Sequence, residues 1–216
     1  MIIKEDSIQH KGMRHRLVQE LIKKGIQSQS VLNAIAKVPR HLFLDSAFIK
    51  HAYVDKPFSI GDGQTISQPY TVAFQSQLLD TKPGIRVLEV GTGSGYQAAI
   101  LLELGVRLYS IERIKNLHLK SRQTLNSIGY NTFFIWGDGY KGLPQFAPFD
   151  RILITAGANE VPQELLSQLA IGGKMVLPVG DGSTQEMLLI EKLSETEYSQ
   201  SRHGTFSFVP MLLGKK

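Results

Sequence analysis

The stretch VLEVGTGSGY, residues 87–96, is the strongest indication of the fold. A short apolar run leads into three alternating glycines, and the helical pattern YQAAILLEL follows at 96–104. Glycines at a strand-to-helix turn let the backbone turn tightly and approach a ligand, because no Cβ stands in the way. The stretch therefore predicts one strand–helix unit of a parallel sheet, with a binding site at its glycine turn.

Strand and helix patterns keep alternating after this stretch. Further strands are predicted at 107–112, 132–136, 151–155 and 174–179, with helices between them at 114–128 and 161–169. Such alternation is typical of a parallel sheet with helices on both faces. Two last strands, expected at 186–193 and 205–213, predict an antiparallel hairpin at the C-terminal end. The predicted fold class is therefore α/β, Rossmann-like, with a mostly parallel central sheet.

The residues before the sheet are predicted to begin with helices. Apolar residues at 17, 18, 21 and 22 repeat at helical spacing, and Gly25 suits the end of that helix. A second helix is expected from about residue 30 to the residue before Pro39. Residues 53–69 are polar and rich in glycine and proline, a poor pattern for a helix or a central strand. Because TVAFQSQLL then resumes helical spacing, this loop is the expected binding surface.

Composition excludes several classes of protein. The 216 residues carry 24 Lys and Arg against 19 Asp and Glu, a net charge of +5 that permits an anionic partner without requiring one. With no cysteine, the chain has no disulfide, no cysteine zinc site and no thiol nucleophile. No apolar run reaches the roughly 18 residues of a membrane span, and the N-terminus lacks a signal-peptide pattern. We expect a cytoplasmic protein.

The ends of three predicted strands carry a cofactor pattern. Glycines spaced G-x-G-x-G after the acidic Glu89 are typical of S-adenosylmethionine methyltransferases, whereas the dinucleotide fingerprint places its third glycine one residue later. Glu112 can accept from both ribose hydroxyls, and Asp138 from the adenine amino group. The sequence predicts a class I S-adenosyl-L-methionine-dependent methyltransferase fold. Its cofactor-binding residues are predicted to be Glu89, Gly91, Gly93, Gly95, Glu112, Asp138 and Gly139.

Residue types exclude several methyl acceptors and other chemistries. Cytosine-C5 methylation needs a cysteine, and DNA amino methylation uses an Asn/Asp-Pro-Pro-aromatic loop where this chain has TAGANEVP. Catechol-type methylation uses clustered carboxylates for Mg²⁺, but the fourth strand here ends in Thr155, Ala156 and Gly157. The six histidines lack metal-ligand spacing, so no metal is expected. Ser94, in TGSG, does not fit the G-x-S-x-G pattern of a serine hydrolase.

The segment IGDGQTISQPYTVAF, residues 60–74, closely resembles the substrate-loop motif of the protein-L-isoaspartate O-methyltransferases. The resemblance covers nearly the whole chain, through VLNAIAKVPRHLFLDSAF, VLEVGTGSGYQAAIL, IERIK, GDGYKGLP, APFDRILITA, GGKMVLPVG and FSFVPML. One departure is Gly157, where many relatives carry alanine or proline, which leaves the shape of that loop open. The resemblance divides a single methyltransferase domain into an N-terminal helical subregion (1–52), the substrate loop and helix (53–80), the cofactor-binding core (81–180) and the C-terminal strands (181–216).

This resemblance implies a protein-repair reaction. Enzymes of the family methylate the free α-carboxylate of L-isoaspartyl residues in damaged proteins and peptides, and the ester then collapses to a succinimide. Ser67 is implied as the catalytic residue, which orients the carboxylate and is not a nucleophile. The implied substrate-binding residues are Gln64, Thr65, Ile66, Ser67, Gln68, Tyr70, Val209 and Pro210. Because a carboxylate with a pKa of about 3.9 is ionised at pH 7, the reaction needs no general base.

Two other functions remain open at this point. An RNA or small-molecule methyltransferase could share the cofactor half, and the basic run MRHR gives that alternative some support. Those basic residues alternate with apolar positions as on a solvated helix face, and no aromatic stacking platform accompanies them. A non-enzymatic sensor of S-adenosylmethionine would have a degenerate substrate loop, whereas this loop is intact. We therefore expect isoaspartyl proteins as partners, no nucleic acid or membrane partner, and a monomer, because no apolar face is left unassigned.

Overall fold

The computed structural model describes residues 6–216, so the first five residues of the predicted helical subregion lie outside it. Its helices are α1 (Ile8–Lys23), α2 (Gln29–Lys37), α3 (Pro69–Leu79), α4 (Tyr96–Glu103), α5 (Lys115–Ser127) and α6 (Gln163–Ser167). Its strands are β1 (Phe58–Gly61), β2 (Gln64–Ile66), β3 (Arg86–Val90), β4 (Arg107–Glu112), β5 (Phe133–Trp136), β6 (Phe149–Ile154), β7 (Leu169–Val179), β8 (Gln185–Lys192) and β9 (Tyr198–Phe206). Within these residues, no helix is long and apolar enough to cross a bilayer.

Seven strands form the central sheet in the order β5-β4-β3-β6-β7-β8-β9. The pairs from β5 to β7 are parallel, and β8 pairs antiparallel with both β7 and β9. The predicted mostly parallel sheet with a C-terminal antiparallel hairpin is therefore confirmed. The strand order reverses between β3 and β6, and ligands of open α/β sheets bind beside such a point, at the carboxyl ends of the strands.

Strand β3 shows why the sheet is covered on both faces. Its residues alternate, so that Val87 belongs to one hydrophobic core while Leu88 and Val90 belong to the other. The first core includes Ile35 of α2, and the second includes Leu165 of α6. All of these side chains are almost completely buried, which explains why the strand is a continuous apolar run instead of an alternating one.

Several parts of the fold differ from the sequence prediction, including β7, which was expected at 174–179 but begins at Leu169. The last strand was expected at 205–213 but lies at Tyr198–Phe206, because this edge strand is mostly exposed and polar and so lacks an apolar signal. The loop at 53–69 contains the two-stranded hairpin β1–β2, whose turn uses positive φ angles at Gly61, Asp62 and Gly63. Helix α6 is shorter than predicted, since the chain already enters β7 at Leu169.

Candidate active site

A cleft with three adjoining compartments lies where the carboxyl ends of β3, β4 and β6 meet the β1–β2 hairpin. The inner cavity is lined by Gln64, Val90, Gly91, Ile111, Glu112, Arg113, Ile114, Gly139, Ala156, Pro210, Met211 and Leu212. The junction cavity is lined by Gln64, Thr65, Ile66, Ser67, Val72, Gly91, Thr92, Gly93, Ser94, Tyr96, Gln97, Thr155, Ala156 and Val209. The outer groove is lined by Pro57, Thr65, Ser67, Gln68, Tyr70, Thr71, Thr155, Thr184, Thr205, Phe206, Ser207, Phe208 and Val209. Shared residues join each compartment to the next.

The glycine turn between β3 and α4 is shaped by two close approaches. Gly91 has φ 98°, and a Cβ on it would lie 2.5 Å from the Oγ1 of Thr155. Gly95 has φ 89°, and a Cβ there would lie 2.8 Å from Leu125 of α5. The Thr155 hydroxyl donates to the carbonyl oxygen of Gly91 at 2.6 Å. Glycine is required at both positions, because each combines a positive φ angle with a close approach that leaves no room for a Cβ.

Glu112 lies at the end of β4 with both carboxylate oxygens fixed. One oxygen accepts from the backbone N–H of Gly93 at 2.8 Å, and the other from that of Ile114 at 2.9 Å. Each carboxylate oxygen can accept a second hydrogen bond. Because Glu112 lines the inner cavity, its carboxylate can still accept from a diol such as a ribose. The predicted role of Glu112 agrees with this position.

Asp138 and Gly139 follow β5 and differ in what they face. Gly139 lines the inner cavity, and a Cβ on it would lie 2.6 Å from a methyl carbon of Val90. The Asp138 carboxylate accepts from the N–H groups of Tyr140 at 3.0 Å and Gly214 at 2.9 Å, and it is not among the residues that line the cavity. Contact of Asp138 with an adenine therefore stays a prediction, whereas its hydrogen bond with Gly214 of the C-terminal tail is observed.

Glu89 is completely buried in the sheet and lines none of the three compartments. It accepts a 2.5 Å hydrogen bond from the Ser110 hydroxyl, which in turn bonds the Thr92 hydroxyl at 2.5 Å. Burial, with a further contribution from the charge of Glu112, raises the pKa of Glu89 to about 8. Glu89 therefore reaches the glycine turn only through Ser110 and Thr92, and direct cofactor contact stays a prediction.

The QTISQPY segment (64–70) separates the junction cavity from the outer groove. Ser67 and Thr65 line both compartments, while Tyr70 lines only the outer groove. Among the described residues, nothing hydrogen-bonds the Ser67 hydroxyl, so it is available to a bound group. Of the two C-terminal residues predicted to bind substrate, Val209 lines the junction and the groove, and Pro210 lines the inner cavity. The structure thus brings the predicted substrate residues to one cleft.

The outer groove is lined without a charged side chain. Its walls are hydroxyl groups, an amide and aromatic rings, with Tyr70 stacked on Phe206 at 6.4 Å and Phe74 behind them at 5.1 Å from Phe206. Such a surface can accept hydrogen bonds and apolar side chains without selecting a charge.

Sequence reasoning missed Thr155, which lines the junction cavity and the outer groove. Thr155 could have been identified from its position directly after β6, at the same edge of the sheet as the glycine turn. The open question at Gly157 is also answered, because the Gly157 backbone bonds the C-terminal segment and a Cβ on it would lie 2.9 Å from the side chain of Gln185. Gln185 in turn accepts from the N–H of Phe208 at 2.9 Å.

A second cluster of titratable groups lies in the N-terminal region, where Asp6, His10 and His41 place ligand atoms within 4.8 Å of one another. Both oxygens of Asp6 accept from the guanidinium of Arg14, and the two imidazole rings stack with centroids 3.8 Å apart. A cation there would compete with Arg14 for the only carboxylate. The cluster lines none of the three compartments.

Comparison with known proteins gives one consistent result. The family model for protein-L-isoaspartate(D-aspartate) O-methyltransferase matches residues 12–216. The protein-L-isoaspartate O-methyltransferase of Cytophaga hutchinsonii is 58% identical over 98% of this chain and 95% of its own length. That of Christiangramia forsetii is 53% identical over 98% of this chain and 99% of its own.

Solved structures agree with the sequence comparison. A protein-L-isoaspartate O-methyltransferase superimposes with a TM-score of 0.83 at 28% identity, over 93% of this chain and 67% of that one. A candidate enzyme of the same name from Plasmodium falciparum, in complex with S-adenosyl-L-homocysteine, gives 0.81 at 26% identity over 92% and 98% of the two chains. Since the family match includes the sheet, the glycine turn and the QTISQPY segment, this chain belongs to the protein-L-isoaspartate(D-aspartate) O-methyltransferase family.

Proposed function

We propose that this S-adenosylmethionine-dependent protein-L-isoaspartate O-methyltransferase esterifies the free α-carboxylate of L-isoaspartyl residues and orients that carboxylate at Ser67. The observation that carries the proposal is the junction cavity, in which the QTISQPY segment and the glycine turn face each other. A group held by Ser67 in the outer groove and a cofactor held by the glycine turn would therefore meet there.

The residues of the inner cavity fit S-adenosylmethionine. Gly91 and Gly139 line that cavity at positions where a Cβ would collide with Thr155 or Val90, and Glu112 offers carboxylate oxygens to a ribose. When bound, S-adenosylmethionine supplies a methyl group on a cationic sulfonium, which is open to in-line attack by an anion. The glycine turn lines the junction cavity from the cofactor side, opposite the QTISQPY segment.

The acceptor carboxylate must be oriented towards the methyl group, but it does not need a base to remove a proton. It is already ionised near neutral pH, which agrees with a cleft that contains no paired base. Ser67 donates its free hydroxyl to one carboxylate oxygen, and the other oxygen is thereby turned towards the methyl group. Transfer combines an anion and a cation into neutral products, so exclusion of water and alignment contribute most of the rate enhancement.

The uncharged outer groove supports a substrate recognised at one residue and not by its sequence context. Main-chain pairing with the segment around Val209 would hold flanking residues of many kinds. An RNA substrate would bring phosphates into this groove, yet no Lys or Arg lines it. The RNA alternative is therefore disfavoured. Cytoplasmic location and a monomeric state stay predictions.

Product chemistry tests the proposal. An isoaspartyl peptide incubated with the protein and S-adenosylmethionine should first gain a methyl ester that mild base removes, and then lose methanol to form the succinimide. Mass spectrometry follows both steps. A base-stable methyl group, or a methylated RNA or small molecule in place of the peptide, would contradict the proposed reaction.

A further inference from the structure

Arg40 is a completely buried guanidinium directly behind the QTISQPY segment. Its Nη2 donates to the carbonyl oxygen of Ser67 at 2.8 Å, and its Nε donates to that of Ala52 at 3.0 Å. Its Cζ lies 4.7 Å from the ring centroid of Tyr96. Both Tyr96 and Ser67 line the junction cavity, so Arg40 contacts residues on both sides of the cleft.

Burial of this charge costs desolvation free energy, and no direct ion pair within residues 6–216 offsets that cost. Among the described residues, no carboxylate forms a salt bridge with Arg40, and its Nη1 has no hydrogen-bond partner. Burial lowers the pKa of Arg40 to about 10, so the group is still a cation at neutral pH. Tyr96 and the more distant charge of Asp55 stabilise the cation without a direct salt bridge. A buried cation with no carboxylate in direct contact, beside a binding cleft, is a candidate for a functional role.

The contacts of Arg40 join two separate parts of the site. Ser67 belongs to the segment that receives the carboxylate, whereas Tyr96 is the first residue of α4, directly after the glycine turn. Further along the segment, the Asp55 carboxylate accepts from the Gln68 amide at 3.2 Å and from the N–H of Tyr70 at 2.7 Å. Arg40 thus holds the backbone carbonyl of Ser67, while Asp55 holds the two residues Gln68 and Tyr70 that follow in the segment.

We propose that Arg40 is a positioning residue for methyl transfer, which fixes the Ser67 peptide against α4 and so sets the separation and angle between acceptor and glycine turn. The inference rests on the proposed function. A planar guanidinium can donate in two directions and stack on a ring at once, whereas a lysine ammonium cannot. A lysine at position 40 would therefore keep the charge but release the alignment.

Arg40→Lys is the test variant, and Arg14→Lys is its matched control. Arg14 is also an almost completely buried arginine of the N-terminal region, and it donates to the Ala36 carbonyl and to Tyr53 without contacting the QTISQPY segment. We expect Arg40→Lys to lower kcat for the isoaspartyl peptide about 100-fold, because misplacement near 1 Å can cost that much. The Kd for S-adenosylhomocysteine should change less than about threefold in either variant, and kcat should be retained in Arg14→Lys.

A loss of kcat with unchanged affinity for S-adenosylhomocysteine distinguishes a positioning role from a role in folding. A merely structural role of Arg40 would lower the folded fraction of Arg40→Lys, so that its kcat and its binding capacity for S-adenosylhomocysteine would fall together. If Arg40→Lys does not fold, Arg40→Met replaces it, since an apolar side chain of similar volume leaves no unpaired charge in the interior. Arg40→Met should show the same selective loss of kcat.

The result that would overturn the proposal is a folded Arg40 variant with kcat within about threefold of the wild type, or an equal loss in Arg14→Lys. Failure of both Arg40 variants to fold, while Arg14→Lys folds, would assign Arg40 a structural role and overturn it too. If the wild type itself does not methylate the isoaspartyl peptide, the proposed function fails instead, so the two failures are distinguishable.

Discussion

The backbone N–H of Gly157 donates to the carbonyl oxygen of Val209 at 2.8 Å, and the N–H of Met211 donates back to Gly157 at 2.7 Å. The loop after β6 and the C-terminal segment are therefore paired like two strands for one residue. Since Val209 lines the outer groove and Met211 the inner cavity, this pairing places one segment across both ends of the cleft.

Gly157→Ala should weaken peptide binding. Its Cβ would lie 2.9 Å from Gln185, which must shift and so loosen its hold on the Phe208 N–H. We expect KM for the peptide to rise about fivefold and the free energy of unfolding to fall by about 1–2 kcal/mol. Gly12→Ala is the control, because nothing lies within 4 Å of a Cβ there and the helix should become slightly more stable. An unchanged KM in Gly157→Ala would refute this prediction.

Ser67→Ala should lower kcat/KM for the isoaspartyl peptide by about 10- to 100-fold, because a hydrogen bond to a charged group contributes about 1.5–3 kcal/mol. Steady-state kinetics measure the loss, and calorimetry should show unchanged affinity for S-adenosylhomocysteine. Ser59→Ala, in the same hairpin but outside all three compartments, should have wild-type kinetics. A loss no larger than that of Ser59→Ala would remove Ser67 from the reaction.

Glu89→Gln should change how stability depends on pH. In the folded protein the pKa of Glu89 is raised to about 8, so between the ordinary value near 4.5 and 8 the folded state holds a proton that the unfolded state has lost. Rising pH across that window therefore favours unfolding of the wild type, by up to about 1.4 kcal/mol per pH unit from this group. The glutamine variant lacks this contribution, so its stability relative to the wild type should increase from pH 5 to pH 8 in denaturant titrations. Parallel stability curves would show that Glu89 is ionised in the fold.

Removal of residues 213–216 should weaken cofactor binding. The tail is held by Asp138 through Gly214, and its Lys216 exchanges backbone hydrogen bonds with Arg113 and Lys115 at 2.8 Å. These contacts hold the segment that covers the inner cavity, so the Kd for S-adenosylhomocysteine should rise about tenfold. The only tryptophan, Trp136, lies 4.5 Å from the Lys215 ammonium, and its emission should shift in the truncated protein. Lys215→Ala, which keeps the backbone contacts, should alter emission without altering Kd.

The fold and the family could be predicted because they depend on patterns among residues that are close in sequence. The glycine turn and the strand before it depend on neighbouring residues, and they were predicted from those residues alone. Strand β9 was misplaced because an exposed edge strand carries no apolar pattern. Arg40 was missed for a different reason, since its contacts with Ala52, Ser67 and Tyr96 are remote in sequence. The burial of Glu89 away from the cleft was hidden too, because position in a motif does not give side-chain direction.

Selectivity between two peptides shows directly whether the cleft accepts an isoaspartyl carboxylate. The peptides differ in one residue, L-isoaspartyl or L-aspartyl, and labelled S-adenosylmethionine supplies the methyl group. We expect base-labile label on the isoaspartyl peptide and none above background on its aspartyl counterpart. Equal labelling of both peptides, or label on neither while the protein still binds S-adenosylhomocysteine, would contradict it.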